Sequence, residues 1–351
     1  MSNELLVTLA LPLADELQER IRAVAPRLSV TPLSRAQQSA FRGGQALWEG
    51  YGATPSDEDE SPEEAMAALE QILEDTEVLL CNPVMPDDLL ERATRLQWVQ
   101  LSSAGIDRLS GSPVLRSNLT ITTSSGVHAA PVSEYVIGMM IALAKRLPEA
   151  MQARAEMNWR PYAPNELEGR TVGIVGAGHI GSRIAHVAKA LGMRVIGMRV
   201  PVGWRGSGRP NFDELIPSRE LHRLLGESDY VVLSVPLTEE TRGLIGGPEL
   251  GAMKPTAVIV NSSRGPVIDE EALIDALKEE RIAGAALDVF SEEPLPPESE
   301  FWRLDNVIIT PHIGGGSPRV LERVIDLFCD NLSHYLVGEP MFNVYVSERG
   351  F

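Results

Sequence analysis

Over the first 125 residues, short apolar runs recur at Leu5–Leu9, Val78–Cys81, Trp98–Leu101 and Leu119–Thr122, separated by stretches with helical spacing such as Glu63–Glu74 and Asp87–Arg95. Runs of four or five apolar or β-branched residues bounded by polar breaks predict buried strands, so this part reads as a small α/β unit. From Thr171 onward the alternation is regular. Strands are predicted at Thr171–Val175, Arg194–Arg199, Tyr230–Ser234, Ala257–Asn261, Ala283–Val289 and Val307–Thr310, with a helix running to Leu191 after the first of them. Alternating strands and helices imply parallel strands joined by right-handed crossovers, which is a doubly wound sheet. An apolar helix at Pro131–Arg146 precedes that sheet, and an amphipathic stretch, Pro318–Leu336, follows it. Both are candidates for crossing between domains, and the C-terminal tail is expected to rejoin the first one.

Length fits this division, since 351 residues exceed one average domain. Apolar residues at 44% and charged residues at 23% suffice for ordinary packed cores. The segment from Thr54 to Pro62 carries like charges and two prolines, and reads as a mobile solvated loop. The net charge of −18 repels phosphate backbones, so no nucleic-acid partner is expected. Ala129–Leu147, the most apolar long stretch, is interrupted by Ser133 and Glu134 and ends in Lys145 and Arg146. It falls short of the roughly 20 apolar residues a bilayer span needs and reads as a buried helix, so no membrane association is expected. Met1–Ala10 lacks a basic region before its apolar run, so no export signal is expected. Cys81 and Cys329 are too few for a disulfide framework and fit a reducing, cytoplasmic compartment. No paired ligand spacing suggests a metal.

Candidate chemistry begins at Val172-Gly-Ile-Val-Gly176-Ala-Gly178-His179-Ile180-Gly181, where G-x-G-x-x-G spacing joins a predicted strand to a predicted helix. In such a loop Gly176 permits the tight turn, Gly178 lets a pyrophosphate approach the backbone, and Gly181 allows close helix–strand packing. Because strand, loop and helix come in that order, dinucleotide binding outweighs a purely structural glycine turn. NAD-binding folds usually place a carboxylate on the ribose about 20 residues further on. Here the strand ends in Arg199, with Arg205 and Arg209 nearby. Guanidinium groups can bind a 2′-phosphate, so NADP(H) is the expected preference; the alternative is that these arginines only solvate a loop.

Three polar groups follow predicted strand ends: Asn261-Ser262-Ser263-Arg264, Asp288 through Glu293-Pro294, and Thr310-Pro-His312-Ile-Gly314-Gly315. Ligands of open parallel sheets bind beyond the carboxyl ends of strands, so all three can converge on one crevice. Taken singly, each reads as an ordinary surface or loop residue.

These segments, with Ser234-Val235-Pro236-Leu-Thr238-Glu-Glu-Thr241, stand in an order that resembles the D-isomer-specific 2-hydroxyacid dehydrogenases, which include glyoxylate/hydroxypyruvate reductases. The resemblance spans nearly the whole chain. It implies that Arg264 binds the carboxylate and carbonyl of a small 2-keto acid, that His312 donates a proton to the carbonyl oxygen, and that Glu293, directly before the proline, charges the imidazole. It also implies a substrate-carboxylate cradle at Ser103, Ala104 and Gly105. Asp288 would meet the nicotinamide carboxamide; Val235, Pro236, Thr241, Asn261, Ser262, Ser263, Gly314 and Gly315 would line the cofactor groove. Trp48 and Tyr51 are candidates for the acyl pocket.

The expected architecture is therefore α/β with two domains. Residues 128–320 form a Rossmann-type doubly wound parallel sheet that binds the dinucleotide, while residues 1–127 and 321–351 form a smaller flavodoxin-like substrate domain. The expected function is hydride transfer between NAD(P)H and a 2-keto acid or D-2-hydroxy acid, by a homodimer. The alternative is a non-catalytic NAD(H)-sensing protein or co-repressor on the same scaffold. An intact set of Arg264, Glu293 and His312 favours the enzyme.

Overall fold

A computed structural model of the chain describes residues 4–43, 61–199 and 211–346. Trp48, Tyr51, Arg205, Arg209 and most of the acidic segment 54–62 lie outside the described residues. The chain divides into two compact units, Met1–Val127 with Ser317–Phe351, and His128–Gly316.

The first unit holds five strands: β1 (Leu5–Leu9), β2 (Leu28–Pro32), β3 (Val78–Cys81), β4 (Trp98–Leu101) and β5 (Thr120–Thr122). All pair in parallel in the order β2-β1-β3-β4-β5, which is the flavodoxin-like order. Every residue of β3 and β4 is buried, as strands covered on both faces require. β2 was not predicted. It is an edge strand with no fully buried residue and ends at Pro32, so its apolar signal is weak. The predicted helix over Asp87–Arg95 is a single turn, Leu89–Arg92.

The helix Pro62–Asp75 starts at a capping box. Ser61 Oγ accepts from the Glu64 amide at 3.3 Å, and the Glu64 carboxylate accepts from the Ser61 amide at 3.1 Å. Ala65, Leu69 and Leu73 recur every fourth residue, placing one apolar stripe against the sheet. The C-terminal helix Val320–Val337 buries Val320, Val324, Phe328 and Leu332 on the other side, where Phe328 packs on Trp98 at 5.3 Å between ring centroids. Beyond it, the Tyr345 amide donates to Ile121 O at 2.8 Å, fixing the tail beside β5.

The second unit holds seven strands: β6 (Thr171–Val175), β7 (Arg194–Arg199), β8 (Glu214–Pro217), β9 (Tyr230–Leu233), β10 (Val258–Asn261), β11 (Gly284–Leu287) and β12 (Val307–Ile309). They form one parallel sheet in the order β12-β11-β10-β9-β6-β7-β8. Chain direction across the sheet reverses between β6 and β9, as in a Rossmann fold. The short edge strand β8 was not predicted either.

Period-two alternation explains the double winding. Val232, Val258, Val260 and Ala286 join one core with Val132, Val136, Met140, Ile184 and Ala188 of the helices Ala129–Ala144 and His179–Ala190. Their strand neighbours Val231, Leu233, Ile259, Ala285 and Leu287 join a second core with Leu224, Leu250 and Leu273 of the helices Leu221–Glu227, Gly247–Ala252 and Glu270–Lys278. Each strand thus buries both faces, and its carboxyl end is left for chemistry. Among the described residues, no helix is long and apolar enough to cross a membrane.

Candidate active site

The glycine loop leaves β6 at the switch point, facing the segment that leaves β9. Gly176 has φ 107°, a left-handed conformation, and a Cβ there would lie 2.2 Å from Ser234 O. A Cβ on Gly181 would lie 2.1 Å from Gly176 O, so the helix can approach its strand only without a side chain. Gly178 differs, because an added Cβ would meet nothing within 4 Å. The fold itself does not require that glycine; a ligand approaching the backbone there would. Gly178 also caps the twelve-residue helix His179–Ala190, whose first amides and dipole favour an anion. Beside the loop, Ser234 Oγ is buried with no hydrogen-bond partner among the described residues. A turn open at Gly178, a helix N-terminus and an orphaned hydroxyl fit a dinucleotide pyrophosphate. His179 is exposed at the helix start, while Ile180 packs into the core.

Other groove candidates have definite local work. Thr241 is buried; its hydroxyl donates to Pro236 O at 2.6 Å and accepts from the Thr238 amide at 2.8 Å, which folds the loop presenting Val235 and Pro236. Arg199 ends β7 exposed, its side chain making no hydrogen bond or ion pair to another described residue.

Beyond β10, Asn261 closes the turn carrying Arg264. Its Nδ2 donates to Arg264 O at 2.9 Å, and its Oδ1 accepts from the Ser263 amide at 3.0 Å and the Ser263 hydroxyl at 2.8 Å. Ser262 is half-buried in this turn. The next residue has to be glycine, because a Cβ on Gly265 would lie 1.9 Å from the backbone of Phe290. That contact presses the β10 loop against the β11 loop, and the two carry Arg264 and Glu293.

Beyond β12, His312 Nδ1 lies 2.7 Å from Glu293 Oε2, and the other carboxylate oxygen accepts from the Phe290 amide at 3.0 Å. Partial burial pushes the Glu293 carboxyl upward. Hydrogen bonds from His312 and the Phe290 amide, with the charges of His312 and Arg264, outweigh it and hold the carboxyl below its ordinary range. Glu293 is thus ionised beside an imidazole whose other nitrogen, Nε2, can carry a transferable proton. Arg264, Glu293 and His312 come together at adjacent strand ends. Ser103, Ala104 and Gly105 belong to the other unit, in a half-buried turn after β4 whose Ser103 hydroxyl donates to Gly105 O at 2.7 Å.

Sequence reasoning gave no role to Tyr135, Thr310 or His128. The Tyr135 hydroxyl lies 2.8 Å from Thr310 Oγ1, and His128 Nδ1 lies 3.2 Å from Gly315 O. The available signal was one phenol inside a mostly apolar helix.

Fold and site together define a nicotinamide-dinucleotide oxidoreductase. Residues 137–314 match the family model described as D-isomer specific 2-hydroxyacid dehydrogenase, NAD binding domain. The chain is 34% identical over 293 residues to a glyoxylate reductase of Korarchaeum cryptofilum, covering 80% of this chain and 86% of that one. It is 36% identical over 283 residues to a glyoxylate reductase of Thermococcus litoralis, covering 77% and 83%. A D-isomer specific 2-hydroxyacid dehydrogenase from Xanthobacter autotrophicus Py2, solved in complex with NADPH and MES, aligns with TM-score 0.77 at 27% identity, covering 99% of this chain and 100% of that one. The chain belongs to the D-isomer specific 2-hydroxyacid dehydrogenase family. It is an NAD(P)-dependent oxidoreductase of 2-hydroxy acids.

Proposed function

We propose that the protein is a glyoxylate/hydroxypyruvate reductase that prefers NADPH, with Arg264, Glu293 and His312 as its catalytic group. The observation carrying this reading is the 2.7 Å contact between His312 Nδ1 and an ionised Glu293, on loops pressed together with that of Arg264. When bound, a reduced nicotinamide would supply the hydride that reduces C2 of the keto acid. Negative charge then develops on the carbonyl oxygen, where the Arg264 guanidinium and the His312 imidazolium stabilise it, and the proton on Nε2 completes the hydroxyl. Glu293 favours the charged imidazole and fixes its tautomer. The amides at Ser103, Ala104 and Gly105 are proposed to bind the substrate carboxylate.

The dinucleotide is proposed to lie with its pyrophosphate on Gly176, Gly178, His179, Ile180 and Gly181, and its 2′-phosphate on Arg199. Val235, Pro236, Thr241, Asn261, Ser262, Ser263, Asp288, Gly314 and Gly315 are proposed to border it. NADPH in the Xanthobacter relative supports the preference. The Korarchaeum and Thermococcus glyoxylate reductases support the substrate class. Assays with glyoxylate, hydroxypyruvate and pyruvate, each with NADPH and NADH, test both choices. Glyoxylate or hydroxypyruvate with NADPH should give the highest kcat/KM.

Residues 147–162 expose Leu147, Met151, Met157 and Trp159, the last two 95% accessible. Apolar side chains this exposed favour association, and we assign this arm to a homodimer. A Trp159→Asp variant should run as a monomer in light scattering, while an unchanged mass would remove the arm from the interface. The two free thiols support a reducing cytoplasm, which cell fractionation tests.

A further inference from the structure

His312 stands in a conformation that a side chain resists. Its φ is 55°, in the left-handed region, so the loop has to be held there by its surroundings. The holding group is Asp288, which is 2% exposed. Its Oδ1 accepts from the Ile313 amide at 2.9 Å, its Oδ2 accepts from the Gly314 amide at 2.7 Å, and its backbone oxygen accepts from the His312 amide at 2.8 Å. Three consecutive amides of the histidine loop therefore end on one residue of the neighbouring strand end. Gly314 is necessary for this, since a Cβ there would lie 2.8 Å from Asp288 Oδ2 and 3.1 Å from the Tyr135 ring.

A side-chain relay completes the hub. Thr310 Oγ1 donates to Asp288 Oδ1 at 2.6 Å, and the Tyr135 hydroxyl lies 2.8 Å from the same Thr310 oxygen. A threonine hydroxyl has one proton. Since that proton goes to the carboxylate, Tyr135 must be the donor to Thr310. Every proton in the chain thus points toward Asp288, from helix to strand end to carboxylate. Burial, chiefly, with the nearby Asp288 charge adding to it, raises the phenol above its ordinary value despite the Thr310 bond, so Tyr135 keeps its proton.

We propose that Tyr135, Thr310 and Asp288 are positioning residues that lock the left-handed turn at His312, aiming its imidazole at Glu293 on one side and at the substrate oxygen on the other. The proposal rests on the reading of His312 as proton donor. It gives Asp288 work distinct from contact with the nicotinamide, since three of its roughly four carboxylate acceptor positions are already taken by its own chain.

Tyr135→Phe, Thr310→Val and Thr310→Ser in the full chain test it, with glyoxylate and NADPH as probes. Tyr135→Phe removes one oxygen from a packed ring, so it keeps the test valid if Thr310→Val folds poorly. Thr310→Val should lower kcat about 10- to 100-fold, the range seen when an orienting partner is lost, and raise the solvent deuterium effect on kcat. Tyr135→Phe should change both in the same direction by less. NADPH affinity, followed by fluorescence quenching, should stay within about twofold, and Thr310→Ser should recover most of the parent rate because it restores the donor. In a crystal structure of Thr310→Val, the His312–Glu293 hydrogen bond should be lost or lengthened. Unchanged kcat in both Tyr135→Phe and Thr310→Val would overturn the proposal. So would lost NADPH affinity at an unaltered isotope effect, or a Thr310→Ser variant as slow as Thr310→Val. Failure of the underlying reading looks different: a His312→Ala enzyme would keep its rate.

Discussion

Glu293 Oε2 and His312 Nδ1 are 2.7 Å apart, and the same carboxylate feels the charge of Arg264. Its carboxyl titrates below the ordinary value, so the ion pair persists through the ordinary glutamate range. Any stability it contributes is present above that range and lost as pH falls through the lowered value. Glu293→Gln should remove this acid-side loss, narrowing the difference in Tm between parent and variant as pH falls. In the reductive direction kcat should drop about 10- to 1,000-fold, because the imidazole loses the carboxylate that orients it. A kcat equal to the parent's would show that the carboxylate does not act on His312.

Two glycines of one loop should respond differently to the same methyl group. Gly176→Ala places a Cβ 2.2 Å from Ser234 O at φ 107° and should cost on the order of 2 kcal/mol or more in stability, read by urea denaturation. Gly178→Ala meets no atom within 4 Å and should leave the apoenzyme's Tm within a few degrees, while weakening NADPH binding about tenfold or more. Calorimetry on both variants separates the fold's glycine from the ligand's.

Arg264→Lys keeps the charge but loses the planar fork, so kcat/KM for glyoxylate should fall about 100-fold with Tm nearly unchanged. The Asn261 clamp on Arg264 O holds the backbone of that turn in either case. Steady-state kinetics at constant pH tests this.

Arg199 tests cofactor choice. Replacing it with alanine should lower the NADPH-to-NADH ratio of kcat/KM about tenfold, mostly through the KM for NADPH. An unchanged ratio would move the 2′-phosphate contact elsewhere.

The second unit was more legible in sequence than the first, for physical reasons. Strands such as β9 and β10 bury both faces, so Tyr230–Leu233 and Val258–Val260 are unbroken apolar runs that announce themselves. The edge strands β2 and β8 bury little and carry no such run. Arg264, Glu293 and His312 could be named because they follow strand ends in ordered motifs. Asp288 could be named too, but its three acceptor bonds to Thr310, Ile313 and Gly314 depend on the β11–β12 register and the left-handed turn at His312, which no local pattern encodes. Tyr135 lies 175 residues from its partner Thr310, inside a helix whose spacing reports only burial.

The most direct test of the central claim is loss of reduced-nicotinamide absorbance when purified protein is mixed with NADPH and glyoxylate or hydroxypyruvate, beside His312→Ala. Steady oxidation by the parent, reduced about 100-fold or more in the variant with NADPH affinity intact, is the predicted result. Equal rates in parent and variant, or no oxidation across a panel of small 2-keto acids, would contradict the assignment of His312 as proton donor in a 2-keto acid reductase.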